Sequence, residues 1–318
     1  MLHFTENDVR RLLPMQYAIE RLRVAFRDYA EGRAQNQPRR RLILSGGSVL
    51  HSMAGAWGGW FGTKVYSTHP GHGAYFTFLL YNAQTAEPVA QFEANALGQI
   101  RTGAVSGLIA DILLPEDHQI QVACIGTGFQ AWTQLEALAA VRPLRTVEVF
   151  GRDANRRLRF AEEMEALLSV KVTAAESAEA AVAQADVVVT ATSAKDPVLA
   201  EGIREGALVL AMGSNSAQRR EIPEGLVRSA LVVVDDKEAC RIEAGDLLLA
   251  FADGDWDRVL ELKNLVAGSV TKPHETRTIV FKSVGLGLED VATAALVYER
   301  SARTTQAPEA GGPHHATH

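Results

Sequence analysis

The sequence predicts an α/β protein: a doubly wound dinucleotide-binding domain with a second, α+β domain beside it. Three observations carry this. Between Gln121 and Asp236 short β-rich runs alternate with helical ones, the order of a parallel sheet wrapped by helices. Several of those runs are apolar almost throughout, as expected of strands buried on both faces. Finally, the stretch QVACIGTGFQA, Gln121 to Ala131, breaks from a strand into a Gly126-Thr127-Gly128 turn and opens a helix. That is the setting a dinucleotide fingerprint requires.

Taken in order, MQYAIERLRVAFRDYAEG reads as a helix with Ile19, Leu22 and Phe26 on one face, ending at Gly32. The pieces RRRLIL, GGWFGTKVYST, AYFTFLLYNA and EPVAQFEA follow as strands without helices between them, so an antiparallel or mixed sheet is expected. The segment RTGAVSGLIADILL is a helix leading into the fingerprint. After it, FQAWTQLEALAAV is helical until Pro143, TVEVFG is a strand, and Asp153 is placed to cap the helix ANRRLRFAEEMEALL. VKVTAA, DVVVTAT, ALVLAMG, ALVVVDD and TIVFKS are further strands, and DVATAALVYERS is a closing amphipathic helix. The chain of 318 residues suits about two domains of roughly 150 residues each. The expected division is 1–115 with 285–308 as one domain and 116–284 as the dinucleotide domain. The Pro/Gly/Ala-rich tail 309–318 is read as disordered.

Apolar residues make up 47% and charged residues 22%, with a net charge of −6 and both signs mixed. This is an ordinary globular profile, and no basic run points to nucleic acid. No basic start with an apolar core suggests a signal peptide, and no apolar run approaches ~18 residues, so neither export nor a membrane is expected. Cys124 and Cys240 are too few for a disulfide framework or a zinc site, which fits a reducing, cytoplasmic setting. His69 and His72 are close in sequence but lack Cys, Asp or Glu beside them, so no metal is expected.

Gly126 permits the tight turn, Gly128 lets the backbone approach a pyrophosphate, and Ala131 replaces the third glycine. The anion would sit on the helix N-terminus, where free amides and the dipole favour it. At the end of the next strand an NAD-selective protein has a carboxylate for the ribose hydroxyl. This chain has Gly151 and then Arg152, with Arg156 and Arg157 in the following helix. A missing carboxylate and a nearby guanidinium suit a 2′-phosphate, so NADP(H) is favoured over NAD(H). Asp153, one residue further on, counts the other way. Outside this domain Arg101 shares a helical stripe with Val105, Leu108 and Ile112. A charge there needs an anion, either a protein carboxylate or a substrate carboxylate. Lys64 sits in an apolar-aromatic strand and Arg40 begins another. Together the three would make a cationic site for an amino- or imino-acid carboxylate.

With those residues in view, the sequence resembles the ornithine cyclodeaminase/μ-crystallin family across nearly its whole length. The blocks TKVYSTHP, IRTGAVSGLIAD, ACIGTGFQA, VVVTATSAKDPVL, GSNSAQRREI and FKSVGLGLEDVATAALVYE carry the resemblance, in family order. It implies a homodimer whose N-terminal domain binds substrate and dimerises, followed by an NAD(P)-binding Rossmann domain. It implies Arg40, Lys64 and Arg101 as ligands of the substrate carboxylate. Taken with the fingerprint and the end of the second strand, the expected cofactor set is Thr102, Gly126, Thr127, Gly128, Gln130, Ala131, Gly151, Arg152, Arg157, Thr190, Ala191, Thr192, Met212 and Gly213. Two departures matter. Cyclodeaminases have an aspartate where this chain has Asn215, and a water-positioning glutamate near where it has His51. Losing a carboxylate removes a cation partner and a general base, so reductase members become the better comparison. The expected activity is NADPH-dependent reduction of a small 2-imino acid or cyclic ketimine carboxylate, with Lys64 or His51 as proton source and Asn215 as a neutral hydrogen-bonding group. A cyclodeaminase-like NAD-dependent lyase and a non-catalytic NADPH-binding protein are the alternatives.

Overall fold

The computed structural model describes residues 1–199, 202–271 and 277–306, so the tail 309–318 lies outside the described residues. The chain begins with β1 (Leu2–Phe4), α1 (Glu6–Leu12) and α2 (Met15–Ala30). It continues through β2 (Gln35–Ile43), β3 (Val49–Trp57), β4 (Trp60–His69), β5 (Gly73–Asn82) and β6 (Pro88–Glu93). A long helix, α3 (Asn95–Leu113), leads to β7 (Ile120–Ile125), α4 (Phe129–Val141), β8 (Leu144–Phe150), α5 (Ala154–Leu168) and β9 (Val172–Ala174). Then come α6 (Ala178–Val182), β10 (Val187–Thr190), β11 (Leu208–Ala211), α7 (Glu224–Ser229), β12 (Leu231–Val234), α8 (Lys237–Glu243) and α9 (Gly245–Leu248). The last elements are β13 (Leu260–Glu261), α10 (Leu262–Val266), β14 (Ile279–Lys282) and α11 (Gly287–Gln306).

The first six strands form a mixed sheet in the order β1-β6-β5-β4-β3-β2, antiparallel except where β1 runs parallel to β6. The other eight form a parallel sheet in the order β13-β12-β14-β11-β10-β7-β8-β9. Chain direction across that sheet reverses between β7 and β10. A doubly wound sheet opens its ligand crevice at such a point, beyond the carboxyl ends of the strands. The fold is therefore the predicted α/β one, with a dinucleotide-type parallel sheet.

The sequence reading leaves out β1, α1 and β3 before the fingerprint, and α6 to α10 with β13 after it. β1 and α1 are short, and β3 was not read as a strand although it pairs along its whole length with β4. Helix α3 starts at Asn95, so Arg101 lies well inside it rather than at its start. Every α3 residue from Ala96 to Ala110 except Gly98 is buried, because the helix is wrapped by α1, α2, α4 and α11. A helix buried all round carries no polar face to mark its limits.

Helix α11 returns to the first sheet and packs on β3 and β4. Its first turn lies almost against the strand: a Cβ on Gly55 of β3 would stand 2.6 Å from the Leu288 amide nitrogen. That approach brings Glu289 and Asp290 onto the face of the sheet that carries Lys64. Trp57 is buried, its Nε1 donating to Asp28 Oδ2 at 2.8 Å, and Trp60, Phe61 and Phe76 are half-buried, leaving Tyr75 exposed.

Candidate active site

The loops beyond β7, β8 and β10 enclose a cleft of about 1070 Å³ at the switch point. Gly126 adopts φ +118°, and a Cβ there would collide with the Ala191 carbonyl. Next to it Gly128 faces open space and serves as N-cap of α4 with no side chain capping the helix. The first amides of α4 are thus left for an anion. Of the predicted cofactor set, Gly126, Thr127, Gly128, Gln130, Gly151, Arg152, Ala191, Thr192 and Gly213 line the cleft. These features fit a dinucleotide with its pyrophosphate on α4.

The remaining five do not form its walls. Thr102 donates to Gly98 O at 2.7 Å inside α3, and Ala131, Thr190 and Met212 are buried behind the surface. Arg157 turns back, donating to Gly151 O at 2.7 Å with its guanidinium 5.1 Å over the Phe150 ring. Arg156 lines the cleft instead, its Nε donating to Thr127 O at 3.2 Å. One helical position separates the two, and helix phase decides which faces the cleft. Asp153 also borders the cleft, but its Oδ1 accepts from the Arg156 amide at 2.9 Å, so it acts as the α5 cap.

A second cavity, about 360 Å³, adjoins the first and shares Phe129 and Gln130 with it. Lys64, Phe76, Asn95 and Arg101 are among its other walls. The Lys64 side chain is 2% exposed and its Nζ lies 2.8 Å from Asp290. Arg101 Nη1 donates to Glu289 Oε2 at 2.9 Å, and its Nε lies 3.4 Å from Asp290 Oδ1. The anion that Arg101 demanded is therefore present within the protein, as Glu289 and Asp290 on α11, which the sequence reading missed. Burial, with Arg101 beside it, brings the Lys64 ammonium down to about 8. Burial likewise pushes Glu289 up to about 7, against the pull of Arg101.

Arg40 does not join this group. It is exposed, on the outer face of β2, and Arg39 points inward in its place. The cause is a bulge: Gln37 pairs with Ala54 but Arg40 with Ser52, so Pro38 and Arg39 together oppose Met53. One extra residue inverts the alternation downstream. Arg39 Nη2 donates to Val284 O at 2.8 Å, and its Nη1 lies 2.6 Å from Glu243 Oε2, where Arg41 also ends at 2.5 Å. His51 is buried, its ring stacked on Tyr66 at 4.2 Å and its Nε2 3.0 Å from Thr68 Oγ1. Burial and the charges of Arg41 and Arg39 push it down to about 4, so it is neutral near pH 7. It carries no imidazolium proton there. Asn215 is exposed in the loop after β11, where its backbone oxygen accepts from Arg41 at 2.8 Å. His69 and His72 pair ring to ring at 4.7 Å, and no group of three or more His, Cys, Asp or Glu is placed to hold a metal among the described residues.

The model of the ornithine cyclodeaminase/mu-crystallin family matches residues 2–305. A Delta(1)-pyrroline-2-carboxylate reductase of Bacillus cereus is 30% identical over 95% of this chain and 97% of its own. A Delta(1)-pyrroline-2-carboxylate/Delta(1)-piperideine-2-carboxylate reductase of Azospirillum brasilense is 32% identical over 97% of each. Among solved structures, the Thermococcus litoralis Delta(1)-pyrroline-2-carboxylate reductase, in complex with NADH and L-proline, superposes with a TM-score of 0.91. It is 31% identical and covers 96% of this chain and 98% of its own. An archaeal alanine dehydrogenase dimer with bound NAD gives a TM-score of 0.89 at 28% identity, covering 96% and 97%. Family model, full-length relatives and superposed folds agree with the paired cavities, and this chain belongs to the ornithine cyclodeaminase/mu-crystallin family.

Proposed function

We propose that the protein reduces a small 2-imino acid or cyclic ketimine carboxylate, such as pyrroline-2-carboxylate, to the amino acid at the expense of NADPH. The observation that carries this reading is the junction at Phe129 and Gln130. There a cleft ending on an uncapped helix N-terminus meets a cavity holding the buried cations Lys64 and Arg101. Relatives named as pyrroline-2-carboxylate reductases support it, as does the ketimine reductase mu-crystallin of Mus musculus, 32% identical over 72% of this chain. The protein is a nicotinamide-dependent oxidoreductase acting on C–N bonds.

Reducing C=N places a hydride on carbon and a proton on nitrogen. The bound nicotinamide supplies the hydride. Arg101 binds the substrate carboxylate with its planar guanidinium, held in place by Glu289 and Asp290. Lys64, fixed by Asp290, gives its proton to the imine nitrogen, and with its ordinary value brought down to about 8 it donates readily at neutral pH. Solvent then returns a proton to Lys64. No carboxylate lines the smaller cavity among the described residues, so a side-chain ammonium has no partner there, whereas an apolar ring meets Phe76 and Phe129. This favours a reductase over a cyclodeaminase.

Support for NADPH comes from Gly151, Arg152 and Arg156 at the β8 end of the cleft, with Asp153 engaged as a helix cap. We further infer a homodimer, as in the archaeal alanine dehydrogenase. The direct test is a screen of cyclic imines, and of 2-oxo acids with ammonia or methylamine, while NADPH oxidation is followed. Rapid oxidation with a cyclic imine carboxylate is expected. Proline formation from ornithine with NAD, or no oxidation with any imine, would overturn the reading.

A further inference from the structure

Behind the cofactor cleft lies a buried carboxylate that the chemistry above leaves unused. Glu221 sits in the segment between β11 and α7, fully buried. Its Oε1 accepts from the Thr192 amide and the Thr192 hydroxyl, each at 2.7 Å. Its Oε2 accepts from the Gly213 amide at 2.7 Å and from the Thr190 hydroxyl at 3.1 Å. One side chain thus takes four hydrogen bonds, all from the ends of β10 and β11, and Thr192 and Gly213 are themselves walls of the cleft. Glu221 is held in turn: its amide donates to Asp246 Oδ1 at 2.6 Å, and Asp246 Oδ2 lies 2.9 Å from Lys282 Nζ.

A carboxylate is the side chain such a position needs. Four donors converge on it, and both oxygens can accept twice. An amide would turn one NH₂ group towards donors that require an acceptor, leaving buried polar groups unpaired. The location is also informative. In a doubly wound sheet the adenosine ribose lies at the end of the second strand, here β8 with Gly151 and Arg152, and the other half of the dinucleotide crosses the switch point. The β10 and β11 loops therefore meet the nicotinamide half.

We propose that Glu221 is a positioning residue that clasps these two loops together and so fixes the wall against which the nicotinamide half binds. This rests on the assignment of the cleft to a nicotinamide dinucleotide. Two variants test it: Glu221→Gln, and Thr190→Val, which removes one hydroxyl donor from a buried side chain that does not line the cleft. Dissociation constants are measured for NADPH and for adenosine 2′,5′-bisphosphate, which lacks the nicotinamide half. Glu221→Gln is expected to weaken NADPH at least tenfold, and Thr190→Val about threefold, with the fragment bound as by the wild type. In turnover, KM for NADPH rises more than KM for the imine. Equal loss for NADPH and the fragment would reduce Glu221 to a general structural role, and no loss for either would remove the role altogether; both overturn the proposal. Should Glu221→Gln fail to fold, Thr190→Val decides by the same comparison. A wild type that binds neither NADPH nor NADH would instead overturn the cofactor assignment, which keeps the two failures distinct.

Discussion

Lys64 is a cation fixed by an aspartate, screened from water, and lowered to about 8 by burial and by Arg101. Its protonated fraction falls as pH rises through that value, so kcat/KM for imine reduction should fall above pH 8. Glu289, pushed up to about 7, acts in the same direction: above 7 it carries a negative charge beside the Arg101 guanidinium proposed to receive the substrate carboxylate. A pH–rate profile of Lys64→Met should lose the limb near 8 together with about 10²- to 10⁴-fold of activity, the usual contribution of a positioned acid. His51→Gln should keep the limb, since that imidazole is lowered to about 4. A limb that survives in Lys64→Met would move the acid elsewhere. Cofactor choice is a second residue-scale matter. A charge-assisted contact from Arg152 to a 2′-phosphate contributes about 1.5–3 kcal/mol, or roughly ten- to a hundred-fold in affinity. Arg152→Ala should lose that preference for NADPH over NADH, read as the ratio of the two dissociation constants. An unchanged ratio would take the assignment from Arg152.

The β2 strand shows what one element does to a site. Its bulge at Pro38 and Arg39 turns Arg39 towards Glu243, both side chains 2% exposed, and turns Arg40 to solvent. Removing one partner of a buried ion pair costs about 3–5 kcal/mol, while an exposed charge away from other features falls within about ±0.5 kcal/mol. Because Arg41 also reaches Glu243, Arg39→Ala should fall at the lower end of that cost, about 3 kcal/mol. Arg40→Ala should be near neutral; denaturant midpoints measure both. The reverse order would mean the bulge is misplaced. The same element marks a limit of sequence reading. Strict alternation through β2 directs Arg40 inward, and no residue type announces the extra residue that reverses it. Lys64 and Arg101 were legible because a charge in an apolar run is conspicuous. Their partners Glu289 and Asp290 were not, since they lie about 190 to 230 positions away and meet the cations through the close passage of α11 over Gly55. The parallel strands were read well because burial on both faces makes them continuously apolar. β3 was missed because its Gly, Ala and Ser residues dilute that pattern, and Gly55 among them is what admits α11.

At the scale of the whole molecule, the two faces of the mixed sheet differ in their cover. One packs on α11 and carries Lys64, Met53 and Phe78 inward. The opposite face leaves Leu42 60%, Leu50 45% and Tyr75 71% exposed, with Val65 among them. The register makes these neighbours rather than scattered positions. Leu42 pairs with Leu50, Leu50 with Ser67, and Ser67 with Tyr75, while Val65 lies opposite Ser52. Leu44, just past the end of β2, is also exposed. An exposed sheet face that carries Leu42, Leu50, Val65 and Tyr75 among Ser52, Ser67 and Thr77 suits a subunit interface, and a stable one needs about 1,000 Å² or more in total. A second copy of this chain is the expected cover, through a two-fold contact that sets this face against itself. Of the sheet's aromatic residues Trp57 is buried and Trp60, Phe61 and Phe76 are half-buried, so Tyr75 and the aliphatic positions carry the prediction. Sedimentation at micromolar concentration should give a dimer. The pair Leu42→Asp and Leu50→Asp, which places two carboxylates side by side in the patch and opposite their own copies, should give a folded monomer. The proposed substrate residues lie on the other face and the proposed cofactor cleft in the parallel sheet, so those variants should still bind NADPH. A wild type that sediments as a stable monomer at that concentration would count decisively against the dimer.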